Sequence, residues 1–320
     1  MINALLPQVV STNLGSDLLL MLQSPLMQRS LIAAILVGLT APVVGTYLVH
    51  RRLAMMGDGI GHIALTGVAL GWLVGSWLNL AEPEALAIPG AFVISVLGAV
   101  TLEVVRISGR TSSDVALAML FYGGIAGGVL LIGLAGGTSS QLNSYLFGSI
   151  STVTTTDIWS ILILAAFILL VGVGLAPALY SVSNDEEFAR STGLPVNLLS
   201  LLIALLAAAT VAVAMRVVGA LLVSALMIVP VAISQILVRS FRSTLVLAMA
   251  IGVVTTVAGL TFTYFYNLSP GAAIVVLAIA IYAVVFALRP IIERIRGRKR
   301  AKVETVQVMH PEREHMKVKE

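Results

Sequence analysis

An acid and an imidazole stand four positions apart in the run Gly57-Asp58-Gly59-Ile60-Gly61-His62, at the head of a strongly apolar segment. On a helix that spacing puts Asp58 and His62 on one face, about one turn apart. Lipid penalises both unless they face protein, water or an ion, so the pair marks a functional site by default. A carboxylate and an imidazole are also ligand types that first-row divalent metals accept. Spacing alone leaves a second reading open, in which Asp58 caps a helix beginning after Gly57 and His62 bonds a neighbouring carbonyl. Two ligands on one helix make half a metal site, and the other positions would come from backbone carbonyls, water or another protomer. Incomplete coordination suits an ion in transit, which must be held strongly enough to shed its hydration and weakly enough to leave. His310 and His315 are a weaker metal candidate, because charged chain ends often carry histidines without consequence.

Three further stretches carry polar chemistry. In Asn184-Asp185-Glu186-Glu187-Phe188-Ala189-Arg190-Ser191-Thr192-Gly193-Leu194-Pro195, Asn or Asp can cap a short helix and acids favour its first turn. Gly193 followed by Pro195 stops it. In Gly109-Arg110-Thr111-Ser112-Ser113-Asp114, one of the last three residues can cap the following segment. Between Gly219 and Pro230, small residues, the Ser224 hydroxyl and a proline within an apolar run describe a kinked helix with freed carbonyls and a candidate gate. The glycine pairs Gly123-Gly124, Gly127-Gly128 and Gly136-Gly137 read as places where helices approach closely.

The elements that must position these residues are set by composition. The chain of 320 residues is 58% hydrophobic and 11% charged, with a mean hydropathy of +1.03. That places it among polytopic helical membrane proteins. Apolar segments of spanning length fall at 30–49, 58–78, 86–105, 114–135, 157–179, 198–215, 217–237, 244–266 and 271–288, each near the ~20 residues a bilayer crossing needs. Eight or nine spans follow, the open point being 198–237, where two spans would meet around Arg216 with almost no loop: either a tight turn near Val213–Gly219 joins two helices, or one of the two segments is short or broken. The chain then divides into an N-terminal segment 1–29, with 13–30 readable as an interfacial helix, a membrane domain 30–288, and a tail 289–320. Arg51, Arg52, Arg106, Arg110, Arg190, Arg239 and Arg242 sort to one set of linkers, and Glu82, Glu84 and Asp157 to the other. By the positive-inside bias the first set and the C-terminus are cytoplasmic. The tail holds ten of the nineteen Lys and Arg residues and five of the fifteen acids. A basic tail after a last span belongs beside an anionic leaflet and not on nucleic acid. Arg51 and Arg52 read as topology anchors. With no cysteine, disulfides and thiolate metal sites are excluded.

The run from Val44 to Asp58, with His62 and Gly67-Val68-Ala69-Leu70, resembles the first signature of the zinc/manganese/iron ABC-transporter permease family. Asp185 to Arg190 with Gly193, and Met215 to Leu226 with Pro230, resemble two more. The blocks span nearly all of 30–290. The chain departs from the common pattern in having Gly61 before the histidine and Ala64-Leu65-Thr66 after it, where the family often has Ser and a nearby Pro. The resemblance implies an all-α membrane protein of type II ABC importer permease architecture. It also implies a homodimer that receives a divalent metal, zinc foremost with manganese or iron as alternatives, from an extracytoplasmic binding protein. No cofactor is expected beyond the metal carried as substrate. By the same route Asp58 and His62 match the family's metal-coordinating positions, and 184–195 the helix that docks on a cytoplasmic ATPase dimer. No G-x-x-x-x-G-K-[ST] run is present to cradle phosphates, so energy must come from a partner or a gradient. The competing class is a proton-coupled secondary carrier using Asp58, Glu103 or Asp114, although no internal repeat of the kind such carriers show is visible. H-E-x-x-H is absent too, which removes the intramembrane metallopeptidase reading.

Overall fold

A computed structural model describes residues 14–308 apart from 110–111, 137, 150–152, 216 and 267. Arg110, Arg216, His310 and His315 thus lie outside the described residues. Among them every regular element is a helix: α1 (Leu14–Gln23), α2 (Pro25–His50), α3 (Ala54–Trp77), α4 (Ala87–Ser108), preceded by a short 3-10 turn at Pro83–Leu86, α5 (Ser113–Leu134), α6 (Ser139–Phe147), α7 (Thr155–Gly174), α8 (Ala176–Asn184), α9 (Glu186–Ser191), α10 (Val196–Ala214), α11 (Val223–Leu237), α12 (Phe241–Tyr266) and α13 (Pro270–Val308). Eight of these are long and apolar enough to cross a membrane.

The expected span at 217–237 is shorter than its hydropathy implies, because only Val223–Leu237, 15 residues, is helical. At about 1.5 Å per residue that is roughly 22 Å, less than the ~30 Å hydrocarbon layer. The cause is local. Gly219 takes a left-handed conformation at φ +90°, and the next two amides leave the helical ladder. Ala220 N–H donates to the Tyr145 carbonyl at 2.9 Å and Leu221 N–H to that of Leu146 at 3.2 Å, both in α6. The last span continues past 288 without interruption as α13, which runs from Pro270 to Val308.

Caps follow the sequence signals. Ser112 accepts from Val115 N–H at the start of α5, and Asp185 accepts from Phe188 N–H at 2.9 Å at the start of α9. Thr154 and Asp157 cap each other's backbone at α7.

Two packed groups make the body. α2 lies against α12, α11, α7 and α10, while α3 is sandwiched between α4 and α5, and α10 bridges the groups through α4 and α2. In lipid such contacts are held by van der Waals fit and hydrogen bonds, because lipid tails are as apolar as leucine. Small residues provide the fit. A Cβ on Gly67 of α3 would stand 2.5 Å from the Gly90 carbonyl oxygen of α4. Of the glycine pairs expected to allow close approach, Gly124, Gly127 and Gly128 do so against α3, Gly123 and Gly136 face open space, and Gly137 lies outside the described residues. Met119, Leu170 and Val276 are exposed on α5, α7 and α13, as side chains facing lipid or another chain should be.

Candidate functional site

α3 begins at Ala54 with Leu53 as its N-cap residue, so Asp58 sits a full turn inside the helix. The capping reading of Asp58 is therefore overturned. The pair is on one face as expected, with His62 Nε2 3.7 Å from Asp58 Oδ1. The His62 side chain is 3% exposed and that of Asp58 23%. His62 Nδ1 is buried with no hydrogen-bond partner among the described residues, so the carbonyl-bonding reading of the histidine falls as well.

Each neighbouring helix contributes one feature to this face. From α11, Ser224 Oγ donates to Asp58 Oδ1 at 3.0 Å, which fixes the carboxylate and leaves Oδ2 available. From α5, Phe121 packs edge-on over the imidazole with ring centroids 4.0 Å apart. That approach is possible because α5 carries Gly124 where a Cβ would stand 2.6 Å from the His62 backbone. A cavity of about 290 Å³ opens beside Asp58, lined by Met55, Asp58, Gly59, Asp114, Leu117, Ala118, Phe121 and Tyr122, and His62 lies behind Phe121 without lining it. Asp114 thus shares a pocket with Asp58 although 56 positions separate them in sequence. Among the described residues no group of three or more His, Cys, Asp or Glu is close enough to enclose a metal. The face offers one carboxylate and one imidazole whose separation suits a single ion about 2.1 Å from each.

The residues 184–195 form α9 and its flanks, and they divide by face. Asp185 is the cap, and Gly193 at φ +82° ends the turn. Ala189 is fully buried, whereas Glu187, Phe188 and Arg190 are exposed. Glu186 turns inward, where its Oε1 receives Arg51 Nη2 and, at 2.9 Å, Arg106 Nη1. Burial pushes the Glu186 carboxyl up, but the hydrogen bonds and charges of Arg51 and Arg106 outweigh it and hold the group below the usual carboxylate range. Arg51 was expected to be a topology anchor and is instead a buried partner of α9. Adjacent Arg51-Arg52 could not reveal a contact to a residue 135 positions away.

The candidate gating residues separate. Gly219 lies in the turn between α10 and α11, where a Cβ would overlap the Leu146 carbonyl. Ser224 reaches Asp58. Pro230 is inside α11 and, lacking an N–H, leaves the Leu226 carbonyl without its helical donor.

Residues 23–289 match the ABC 3 transport family. The chain is 33% identical over 279 residues to the "Manganese transport system membrane protein MntC" of Halalkalibacterium halodurans, covering 86% of this chain and 92% of the relative. It is 31% identical over 264 residues to the "Manganese import system permease protein ScaB" of Streptococcus parasanguinis, covering 82% and 91%. Among solved structures, "PsaBC from Streptococcus pneumoniae in complex with Fab" superposes with a TM-score of 0.74 at 31% identity, covering 85% of this chain and 95% of that one. With the family matched over most of its length and the helical architecture shared, this chain belongs to the ABC 3 transport family.

Proposed function

We propose that this chain is the membrane-spanning subunit of an importer that passes a divalent first-row metal through the Asp58–His62 face. It is a transport subunit and not an enzyme, and ATP hydrolysis belongs to a partner chain. The observation that carries the reading is the pair itself, a carboxylate and a nearly buried imidazole 3.7 Å apart inside one apolar helix, beside a cavity that also receives Asp114. The relatives named for manganese favour that ion over the zinc expected from sequence. The two carboxylates in the pocket, Asp58 and Asp114, are consistent with this, since oxygen donors suit manganese. A second copy of the chain would close the cavity between α3 and α5. An extracytoplasmic metal-binding protein would deliver the ion, and a cytoplasmic ATPase dimer would engage the exposed face of α9.

The test is uptake into proteoliposomes, metal by metal, with and without the ATPase subunits. Manganese entry that requires both ATP and the ATPase supports the reading. Uptake driven by a proton gradient without any ATPase overturns it in favour of a secondary carrier.

A further inference from the structure

We infer that Arg51 and Glu186, together with Arg106 and Glu103, form an ion-pair lock that makes α9 and the start of α3 move as one body. In this inference the lock, and not the docking surface, determines how much metal moves per ATP. It rests on the proposal that α9 meets the ATPase.

The quartet joins three elements and is balanced, with two guanidiniums and two carboxylates. Glu186 of α9 receives Arg51, the C-cap of α2, and Arg106 near the end of α4. Glu103 holds Arg106 with two oxygens, at 2.7 Å from Nη2 and 3.1 Å from Nε. Arg51 also donates to Ser200 of α10 at 3.0 Å. A guanidinium fork suits such bridging, since each arm can hold a separate oxygen.

Burial stiffens the connection at its inner end, while the Glu186 side chain is 36% exposed and that of Arg106 24%. The Arg51 side chain is 4% exposed and that of Glu103 3%. If α9 moved away alone, Arg51 would keep a serine hydroxyl but lose its carboxylate partner among the described residues. An uncompensated buried charge is strongly disfavoured. Arrangements in which α9 shifts while the end of α2 stays behind are therefore suppressed. An arginine serving only as a membrane anchor would keep its head in water or among headgroups, and Arg51 does neither.

The link from Arg51 to the metal face is short and closed. Arg52 is left-handed at φ +59°, and Leu53 N–H returns to the Leu48 carbonyl at 2.9 Å, so α2 ends in a hydrogen-bonded turn. α3 starts at the next residue, and Asp58 lies four positions on, about 6 Å along the axis. Displacement of Glu186 thus reaches Asp58 through one ion pair and one tight turn. The outward residues Glu187 and Arg190 take no part in the lock, so docking and transmission can be separated by mutation.

The experiment uses the full permease reconstituted with its ATPase and compares Glu186→Gln, Arg51→Met and the double variant with wild type. Three quantities are read on the same samples: ATPase retention by pull-down, ATP hydrolysis, and metal taken up per ATP. Each single variant is expected to keep the ATPase and hydrolyse ATP while uptake per ATP falls about fivefold or more. The double variant should be no worse than either single one, because the two residues act as a unit. Glu186→Asp preserves charge balance for folding but is too short to bridge both guanidiniums, so it should show the same uncoupling even if the other variants insert poorly. Wild-type uptake per ATP in Glu186→Asp or Glu186→Gln overturns the lock. The companion variant Glu187→Lys with Arg190→Glu tests docking itself. If it loses the ATPase while the lock variants stay coupled, only the lock fails. If it still binds and transports, α9 is not the docking element and the lock has no role in coupling.

Discussion

Asp58 and His62 owe their pairing to helical geometry, which is why sequence alone could place them together. The ladder of an α-helix fixes residues four apart on one face whatever surrounds them. The partners that complete the face come from elsewhere, 166 positions away for Ser224 and 59 for Phe121, and no local pattern announces them. Ser224 was legible only as a hydroxyl near a kink; its hydrogen bond to Asp58 appears once α11 is seated against Gly57 of α3 and the preceding turn, through Ala220, against Gly61. Two outcomes are expected at this scale. Asp58→Asn and His62→Ala should each reduce metal uptake to background while membrane insertion and ATPase binding remain normal, since each removes a ligand from a site with few. Near-normal uptake by either would return that residue to a packing role. Ser224→Ala should leave transport measurable but about tenfold weaker at limiting metal, the usual effect of losing a group that orients a ligand. Uptake against metal concentration separates the cases: an orienting role shifts half-saturation, whereas damage to the fold lowers uptake at every concentration.

At the scale of elements, α9 was readable in outline because caps and stops are local chemistry. Asp185, the acids of the first turn and Gly193 all behave as their positions imply. Which face turns inward was not readable, since a helix of six residues has too few positions to show an apolar stripe. The turn after α10 was harder still. Its residues are as apolar as a span, and only the φ of Gly219 and the amides captured by α6 end the helix. A comparison of two glycines tests that account. Gly193→Ala meets no atom within 4 Å, so it should show only the left-handed penalty, about 1–2 kcal/mol at most. Gly219→Ala adds overlap with the Leu146 and Gly148 backbones and should lower the thermal midpoint of the detergent-purified protein markedly more. Equal midpoints would mean that the α6 contact does not hold the turn. The attachment of α9 has a pH signature as well. With the Glu186 carboxyl held below its ordinary value by Arg51 and Arg106, its contribution is fully present above about pH 4.3 and is lost as pH falls through the lower folded value. Amide exchange in 186–192, corrected for intrinsic rate, should stay constant from neutral pH to about pH 5. In Glu186→Gln it should be faster than in wild type by the same factor across that whole range.

The molecule as a whole is legible mainly through hydropathy and charge, because bilayer thickness sets span length and arginine sets sidedness. A short or broken segment is one of the two alternatives the crowding at 198–237 allows, and the 15-residue α11 realises it while leaving the alternation intact. The 217–222 turn meets the end of α6 and the start of α13, where a Cβ on Gly271 would overlap the Val218 carbonyl and Ser269 Oγ donates to the Phe147 carbonyl at 2.9 Å. α11 can therefore reverse the chain without crossing the full layer and return it to the side of Arg239 and Arg242. On that side stand Arg51, Arg106 and α9, gathered by the ion pairs of Glu186; Glu82 and Glu84 stand at the other end of α3. If the arginine side is cytoplasmic, then α9 faces ATP and the Asp58 cavity lies closer to the cytoplasm than to the exterior, because Asp58 is in the second turn of an α3 that starts on that side. The absence of cysteine in the chain makes the orientation directly measurable. Glu82→Cys should react with a membrane-impermeant maleimide in intact cells, and Ser191→Cys should react only after permeabilisation. Both positions are exposed in the structure, so failure to label reflects sidedness and not burial. Labelling of Ser191→Cys from outside would invert every span together, remove α9 from the ATP side, and leave the Arg51–Glu186 pair without a motor to obey.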